Sequence, residues 1–348
     1  MCELLGLSFN KQIRPKISFV AFRRRARYNP HGWGIAFYPN PDSFAAFILK
    51  EAIPGHKSEL AAFLSRYPNI RSRIFICHVR RATRGGPSYR NTHPFARELF
   101  GREYVFAHNG TVNEGRIPQP SRFKPMGNSD SERIFCYLLD RIYERGIRSW
   151  SREDFNWLHG LLREINMYGT LNIMMSDGEH LFCYTDVNGY NTLCYIRREP
   201  PYPRIKLRDL DWEIDLNLEK SHDQRGYIVA TYPLTNEQWT SLSPGELIVF
   251  KDGEIIYGSH GEEAFKPAQI DIDILRIIRR SPHRVPLRQI VNRLKTRYTE
   301  QRIKHHIKLL LCYGYIRQDR RDRVPWHNLQ ATFYTHPRKR KEIDILII

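Results

Sequence analysis

The sequence lacks several features that would assign it to a membrane or secreted class. No apolar run approaches the roughly 18 residues that a membrane-spanning helix needs, and the opening residues do not have the pattern of a secretory signal. Six cysteines occur without CxxC spacing, which argues against a structural zinc site or a disulfide scaffold. Internal repeats and low-complexity tracts are also absent. These absences predict a soluble protein of the reducing cytoplasm.

Positive charge is concentrated near the C-terminus. The net charge is +18, from 55 Lys and Arg against 37 Asp and Glu. From Lys266 onward, 20 basic residues stand against 7 acidic ones, whereas the residues before it have 35 against 30. The 348 residues, 41% of them hydrophobic, are enough for one large core or two modest ones. We therefore predict a nearly neutral body at 1–260, a linker at 261–269 and a basic domain at 270–348.

Strand patterns dominate the body. Short apolar or alternating segments bounded by turn residues occur at 4–9, 32–38, 44–49, 73–81, 103–110, 171–177, 180–186, 192–198, 226–233 and 245–258. Two longer segments between residues 129 and 168 have helical periodicity instead. Many strands interrupted by a block of helices predict an α+β fold, in which helices cover stacked sheets, rather than a doubly wound α/β fold.

The basic domain has a different pattern. Three short helical segments, at 272–281, 286–297 and 299–314, precede two strand-like segments, YIRQ and LQATFYTHP, joined by a charged turn. This order is typical of a winged helix. The final residues, EIDILII, have an apolar, strand-like pattern.

A winged helix would place the basic side chains of its third helix in the major groove of DNA. The side chains expected to contact phosphates belong to Arg302, Lys304, His305 and Lys308 in that helix and to Arg317, Arg320, Arg321 and Arg323 in the wing. A nucleic acid is therefore one predicted partner. The alternative is that the domain caps or dimerises the body, or docks an acidic protein.

Cys2 is the most informative single position. If Met1 is removed, the free α-amine of Cys2 has a pKa near neutrality and lies close enough to the thiol to act as its base. The alternative is that Cys2 is a small apolar residue buried at the start of the first strand.

Further motifs place polar residues at the ends of predicted strands. HGWGIAFY begins at His31, HVRRATRGG at His78, NTHPF at Asn91, HNG at His108 and NSDSE at Asn128. With MCELLG at the start, they resemble the class II glutamine amidotransferases, and especially the small stand-alone members without a fused synthase. The resemblance covers roughly residues 2–258. It implies the four-layer αββα sandwich of the N-terminal-nucleophile hydrolases.

The resemblance also implies roles for single residues. Cys2 would be the nucleophile that forms a γ-glutamyl thioester, and the Asn109 amide and the Gly110 N–H would form the oxyanion hole. Arg80 would bind the substrate α-carboxylate, Asp130 would bind its α-ammonium, and Thr83 would add a hydroxyl contact. No cofactor or metal is implied.

Each role has a structural alternative. Arg80 and Arg84 could be solvated loop charges, and Asn-Gly is by default the centre of a type I′ hairpin turn. Asp130 lies within Ser129-x-x-Glu132, the pattern of a helix capping box. His78, His93 and His108 look like a catalytic or metal-binding set. Because the proposed chemistry needs no imidazole, we assign them structural roles.

Two departures from the family pattern surround the substrate loop. Arg81 and Arg84 stand where the synthase-fused members tend to have Trp and His. We therefore predict an enzyme that hydrolyses the amide of glutamine or of a γ-glutamyl compound and releases ammonia, which passes to water or to an acceptor enzyme in trans. The alternatives are a γ-glutamyl hydrolase of a larger metabolite and a glutamine-sensing regulator that binds nucleic acid.

Overall fold

The computed structural model divides into two compact units, Met1–His260 and Gly261–Ile348. The residues that it describes are 2–40, 43–82, 85–207, 213–216, 221–259, 267–312, 315–319 and 329–347. Among the predicted functional positions, Thr83, Arg84, Arg320, Arg321 and Arg323 lie outside these ranges, as do Met1 and most of the predicted linker. The first unit is called the body below, and the second the C-terminal unit.

Two antiparallel sheets form the centre of the body. The first sheet contains β1 (Glu3–Ile13), β2 (Trp33–Phe37), β3 (Phe47–Glu51), β4 (Ser72–Val79), β9 (Cys194–Arg198), β12 (Gly226–Ala230) and β13 (Thr240–Ser241). Its strand order is β13-β9-β12-β1-β4-β2-β3, so β1 lies between β12 and β4. The second sheet contains β5 (Phe95–Leu99), β6 (Arg102–Val112), β7 (Gly169–Ser176), β8 (His180–Tyr184), β14 (Leu247–Lys251) and β15 (Glu254–Gly258), in the order β15-β14-β8-β7-β6-β5. A separate hairpin joins β10 (Arg204–Lys206) and β11 (Glu213–Asp215).

Helices cover the outer face of each sheet. On the first sheet these are α1 (Lys16–Arg25) and α2 (Glu59–Arg66), and on the second α3 (Asp130–Arg145) and α4 (Arg152–Asn166). Side chains from the inner faces of the two sheets pack together in a third cluster, which includes Leu4, Ile76 and Met174. The described layers are therefore helices, sheet, sheet and helices. The sequence predicted α3 and α4 but missed α1 and α2.

Serine side chains fix where three of these helices begin. Ser58, Ser129 and Ser151 each accept a hydrogen bond from a backbone N–H in the first turn of α2, α3 and α4, respectively. Such caps satisfy donors that have no partner within the helix. The helix α3 ends at Gly146, whose φ of 71° is the left-handed conformation that favours glycine. The start of α3 matters for the site because Asp130 is its first residue.

The C-terminal unit has its own aliphatic core. In chain order it contains α5 (Gln269–Arg279), β16 (Val285–Pro286), α6 (Leu287–Leu294), α7 (Glu300–Cys312), β17 (Ile316–Gln318), β18 (Thr332–Thr335) and α8 (Arg340–Leu346). Its three short strands pair in the order β16-β18-β17. The prediction of a strand-like end was wrong, because the last residues form α8, and the side chain of Ile343 is fully buried in the core.

Among the described residues, no helix combines the length and the apolar character needed to span a lipid bilayer.

Candidate active site

The predicted site residues that the structure describes lie at one end of the two sheets: Cys2, Arg80, Asn109, Gly110 and Asp130. Glu3 pairs with Val79 across β1 and β4, which brings Cys2 beside the loop that follows β4. Asn109 and Gly110 lie near the end of β6 in the second sheet, where they pair with Asn172 and Leu171 of β7. The two sheets thus supply opposite walls of one site, although the residues are far apart in sequence.

Cys2 is tied to that loop by its sulfur atom. Its Sγ accepts a hydrogen bond from the Arg81 backbone N–H at 3.0 Å and lies 3.2 Å from the Arg81 carbonyl, to which the thiol donates. Burial raises the pKa of the Cys2 thiol, while the Arg81 N–H and the Arg80 guanidinium act in the opposite direction. The thiol therefore needs a base to become nucleophilic. The alternative of an apolar strand residue does not fit, because β1 begins after Cys2, whose side chain is partly exposed.

Asn109 contacts Cys2 directly. Its Nδ2 donates a hydrogen bond to the Cys2 carbonyl at 2.6 Å. The hairpin-turn alternative was wrong for Asn109-Gly110, since both residues lie within β6. At Gly110 a Cβ atom would lie 2.0 Å from the Thr170 carbonyl oxygen, so only glycine fits between β6 and β7.

Asn172 supports Asn109 from β7, and the sequence analysis missed it. The Asn172 side chain is fully buried. Its Nδ2 donates to the carbonyls of Asn109 at 3.2 Å and Tyr190 at 2.8 Å, and its Oδ1 accepts from the Thr185 hydroxyl at 3.0 Å. One amide thus fixes the Asn109 backbone relative to the loop that contains Tyr190. LNIMMSD resembles an ordinary buried strand, and only the pairing of β7 with β6 identifies its asparagine.

Arg80 is buried beneath the loop that follows β4 and does not project from it into solvent. The residue is only 3% exposed, so the solvated-charge alternative was wrong. Its guanidinium donates to the carbonyls of Gly85 at 2.7 Å and Gly86 at 3.2 Å. Burial lowers the pKa of Arg80, whereas the nearby Cys2 and Asp130 act to raise it. The Arg80 cation is therefore held near Cys2 and Asp130.

Two asparagines close the loop against α3. Asn91 Nδ2 donates to Asn128 Oδ1 at 2.8 Å, and the Asn128 N–H donates to Asn91 Oδ1 at 3.0 Å. Gly85, with φ of 62°, packs on this pair, and a Cβ there would lie 2.9 Å from Asn91 Nδ2. The NTHPF and NSDSE motifs thus meet through their first residues.

Asp130 is a buried carboxylate at the start of α3. Its Oδ2 accepts from the Val112 N–H at 2.8 Å and its Oδ1 from the Ser131 N–H at 3.0 Å. The helix cap is Ser129, not Asp130. Glu132 does not complete a capping box, because its carboxylate accepts from the Gly127 N–H at 2.6 Å and pairs with Arg97. Asp130 thus links α3 to the end of β6, beside Asn109.

The three histidines occupy the interior behind these residues. His108 Nε2 lies 3.1 Å from the Thr170 carbonyl, which can only accept, so Nδ1 accepts from the Ser131 hydroxyl at 2.9 Å. The rings of His78 and His93 lie 4.2 Å apart, and neither ring nitrogen makes a hydrogen bond of ordinary geometry with described residues. Burial, followed by the Arg80 and His108 charges, lowers the pKa of His78 to about 3. The pair is therefore uncharged at neutral pH.

Two other contacts around Cys2 were not expected from the sequence. His31 Nδ1 accepts from the Ala82 N–H at 2.8 Å, which anchors the start of the substrate loop. Glu3, next to Cys2 in sequence, forms a buried ion pair with Arg25 of α1 at 3.1 Å. Neither partner is distinctive in sequence, since Arg25 is one of several arginines at the end of α1.

A potential metal-ligand group lies elsewhere. Among the residues described, Asp177, Glu179 and His180 lie in the turn after β7, and one potential ligand atom of each is within 4.8 Å of those of the other two. The Asp177 carboxylate accepts from the His180 backbone N–H at 2.7 Å, and Glu179 pairs with Lys251 at 2.6 Å. This turn is at the opposite end of β7 from the residues that pair with Asn109 and Gly110. Its oxygens stabilise the turn and do not approach Cys2.

Comparison with known proteins identifies the family. The model of the family described as "Glutamine amidotransferases class-II" matches residues 1–273. An uncharacterized protein of Methanocaldococcus jannaschii is 45% identical over 99% of this chain and 96% of its own length. YafJ of Escherichia coli, named among the glutamine amidotransferases, is 35% identical over 73% of this chain and 99% of its own length.

A solved structure agrees with these sequence matches. The crystal structure of a predicted glutamine amidotransferase from Pseudomonas aeruginosa covers 74% of this chain and 100% of its own, at 30% identity and a TM-score of 0.54. The M. jannaschii protein is therefore similar over nearly the whole chain, whereas the E. coli and P. aeruginosa proteins match about three quarters of it. On this evidence, together with the site geometry, the chain belongs to the class II glutamine amidotransferases.

Proposed function

We propose that the protein hydrolyses the side-chain amide of glutamine, or of a γ-glutamyl compound, through a thioester on Cys2. The observation on which this depends is the grouping of the Cys2 sulfur, the Asn109 amide and the Arg80 guanidinium at one end of the two sheets. A thiol, an amide donor and a buried cation are the groups needed to attack, polarise and orient a γ-glutamyl amide.

The first step requires removal of Met1. The free α-amine of Cys2 takes the thiol proton, and Sγ adds to the γ-carbonyl carbon. Asn109 has two amide N–H donors. One bonds the Cys2 carbonyl at 2.6 Å, and the other, with the Gly110 N–H, would stabilise the oxyanion. The C–N bond then breaks, and the proton held by the α-amine passes to the leaving nitrogen.

The second step releases the product. Water attacks the thioester, the C–S bond breaks, and glutamate leaves while the thiol regains a proton. Arg80 would bind the α-carboxylate by a charge-assisted pair, Asp130 the α-ammonium, and Thr83 would add a hydroxyl contact. No cofactor or metal takes part. The ammonia would pass to water or to an acceptor enzyme supplied in trans.

Intact-mass measurement before and after treatment with a diazoketone analogue of glutamine tests this proposal. We expect a mass without Met1 and a single adduct that maps to Cys2. The Cys2→Ala variant should take up no label, and the buried Cys194 should stay unmodified in the wild type. Retained Met1, or an unlabelled Cys2 with a free α-amine, would contradict the mechanism.

The alternative within enzymes is a γ-glutamyl hydrolase of a larger metabolite. Arg81 and Arg84, which depart from the pattern of the synthase-fused members around the substrate loop, favour it. Kinetics with glutamine and with γ-glutamyl amines separate the two. Efficient turnover of glutamine alone would eliminate the larger substrate.

For the C-terminal unit we propose a winged helix that binds nucleic acid, or otherwise an acidic protein. Support comes from its order of helix, strand, two helices and two strands, and from the surplus of basic over acidic residues after Lys266. Phosphate binding by such a surface must weaken steeply with salt. Anisotropy of a labelled DNA duplex, titrated at low and high salt with and without glutamine, tests both binding and the regulator alternative. Absence of binding at low salt would eliminate both.

A further inference from the structure

Tyr232 lies opposite Glu3, the residue after Cys2, on the β12 side of β1, whereas Arg80 lies on the β4 side. In the first sheet, β1 has β4 on one side and β12 on the other. Arg80 follows β4, whereas Tyr232 follows β12. Leu4 and Thr231 extend the pairing of β1 with β12, since the Leu4 N–H donates to Thr231 Oγ1 at 2.9 Å and the Thr231 N–H to the Leu4 carbonyl at 3.1 Å. Tyr232 is therefore adjacent to the strand residue that follows the nucleophile.

Tyr190 approaches the same place from the second sheet. Its carbonyl accepts from Asn172, which also bonds the Asn109 carbonyl. Asn191 follows, and its Oδ1 accepts from the Tyr232 hydroxyl at 3.4 Å. Tyr190, Asn191 and Tyr232 are here called the tyrosine rim, and they connect the Asn172–Asn109 contact with the position opposite Glu3.

The tyrosine rim has a fixed backbone and accessible rings. Arg25 donates to the carbonyls of Tyr232 at 3.0 Å and Pro233 at 2.7 Å. The Tyr190 and Tyr232 side chains nevertheless remain 38% and 42% exposed. Burial, then the Glu3 carboxylate and Tyr190, raise the pKa of the Tyr232 phenol, so it is neutral at physiological pH. Two tyrosine rings and an amide suit an apolar ring better than a charged group.

The positions of Arg80 and the tyrosine rim set the direction of a bound substrate. A γ-glutamyl amide with its α-carboxylate on Arg80 and its amide carbonyl carbon at Cys2 Sγ would extend from the β4 side of β1 towards the β12 side. Its bond to the leaving nitrogen then points away from Arg80, towards β12. A substituent on that nitrogen would meet Tyr190 and Tyr232.

We propose that the tyrosine rim binds an apolar, preferably aromatic, substituent on the amide nitrogen, and that the protein prefers N-substituted γ-glutamyl amides to glutamine. This inference rests on the function proposed above and names the substrate class of the same site.

Steady-state kinetics with glutamine and γ-glutamylbenzylamide test the inference. Benzylamine and ammonia have similar basicity, so the two substrates differ mainly in the ring. We expect kcat/KM of the wild type to be higher for the benzylamide. Tyr232→Ala and Tyr190→Ala should each lower kcat/KM for the benzylamide about 10-fold or more, the discrimination typical of an apolar pocket, and change that for glutamine less than about 3-fold.

Two control variants complete the design. Tyr67→Ala removes a ring that is also 38% exposed but follows α2, before the other end of β4, and it should change neither rate. Tyr232→Phe keeps the ring and should keep the preference. If the Tyr190→Ala and Tyr232→Ala variants leave the ratio of the two kcat/KM values unchanged, the inference is overturned while the proposed function stands. A wild type that hydrolyses neither substrate would overturn the proposed function itself.

Discussion

The body and the C-terminal unit use their buried polar groups differently. In the C-terminal unit the buried carboxylates stabilise the fold: Asp271 caps α5 and pairs with His306, and Asp273 accepts from the Tyr298 hydroxyl. In the body, the buried ring nitrogens of His78 and His93 make no hydrogen bond of ordinary geometry with the described residues. Arg80 is buried although it lies next to a loop.

This difference indicates where chemistry takes place. Buried polar groups are normally paired, and those beyond the needs of packing cluster at functional sites. The body has such groups around Cys2, whereas the distinctive property of the C-terminal unit is surface charge. Substitutions in the body should therefore change stability and catalysis, and those in the C-terminal unit should change association.

The largest effect should come from the buried ion pair between Glu3 and Arg25, next to Cys2. Arg25→Ala removes the buried cation that pairs with the Glu3 carboxylate, and a broken buried pair costs about 3–5 kcal/mol. The matched variant in the C-terminal unit is Arg279→Ala, whose pair with Asp344 is half exposed and should matter far less. Urea unfolding of both variants measures the difference. Equal losses would contradict the comparison.

Asn109→Ala should lower kcat by about 10²–10³-fold, because removal of one oxyanion donor typically has that effect. KM should change much less, since the amide acts on the developing charge. The control is Gln301→Ala, which removes an exposed amide from α7 and should leave kcat unchanged. A rise in KM with an unchanged kcat would instead assign Asn109 to substrate binding.

The pH dependence of stability should originate in the body. The pKa of His78 is lowered to about 3 by burial and then by Arg80 and His108, and that of His159 to about 4 by burial and then by Arg163. Both rings are neutral when folded but take up protons in the unfolded chain below about pH 6.5. Their stabilisation is therefore complete above pH 6.5 and is lost as pH falls towards 4, at up to about 1.4 kcal/mol per pH unit for each ring.

Variants separate this effect from the titration of other groups. His159→Gln should make the fall in unfolding free energy between pH 6.5 and pH 4.5 shallower, because one such ring is gone. His283→Gln, at an exposed position of the C-terminal unit, should leave the slope unchanged. Identical slopes for wild type and His159→Gln would refute the prediction.

The smallest expected effect is in the C-terminal unit. Arg302 is an exposed residue of α7, and if it contacts a phosphate, Arg302→Gln should reduce the salt slope of duplex binding by about 1. Glutamine hydrolysis should not change. Arg24→Gln, at an exposed position of the body, should leave the slope unaltered. Anisotropy titrations over a range of salt concentrations measure it.

Local patterns in the sequence were sufficient for much of the architecture. Short apolar segments and the alternation of apolar and polar residues predicted the long strands of both sheets, and helical periodicity predicted α3 and α4. The helices α1 and α2 were missed because their segments are short and, in α1, rich in arginine, so the apolar face is obscured. The apolar C-terminal residues were assigned to a strand because a short apolar run does not distinguish strand from helix.

The sequence by itself determined the family, the chemical groups of the candidate site and the charge difference between the two regions, because short motifs and composition are local properties. The tertiary structure alone decided which groups surround them. Leu4 and Thr231 are 227 residues apart, yet their pairing brings Tyr232 opposite Glu3, and a strand register brings Asn172 to Asn109. Such contacts depend on how strands pair across the whole chain, and the residues that make them have no local pattern that distinguishes them.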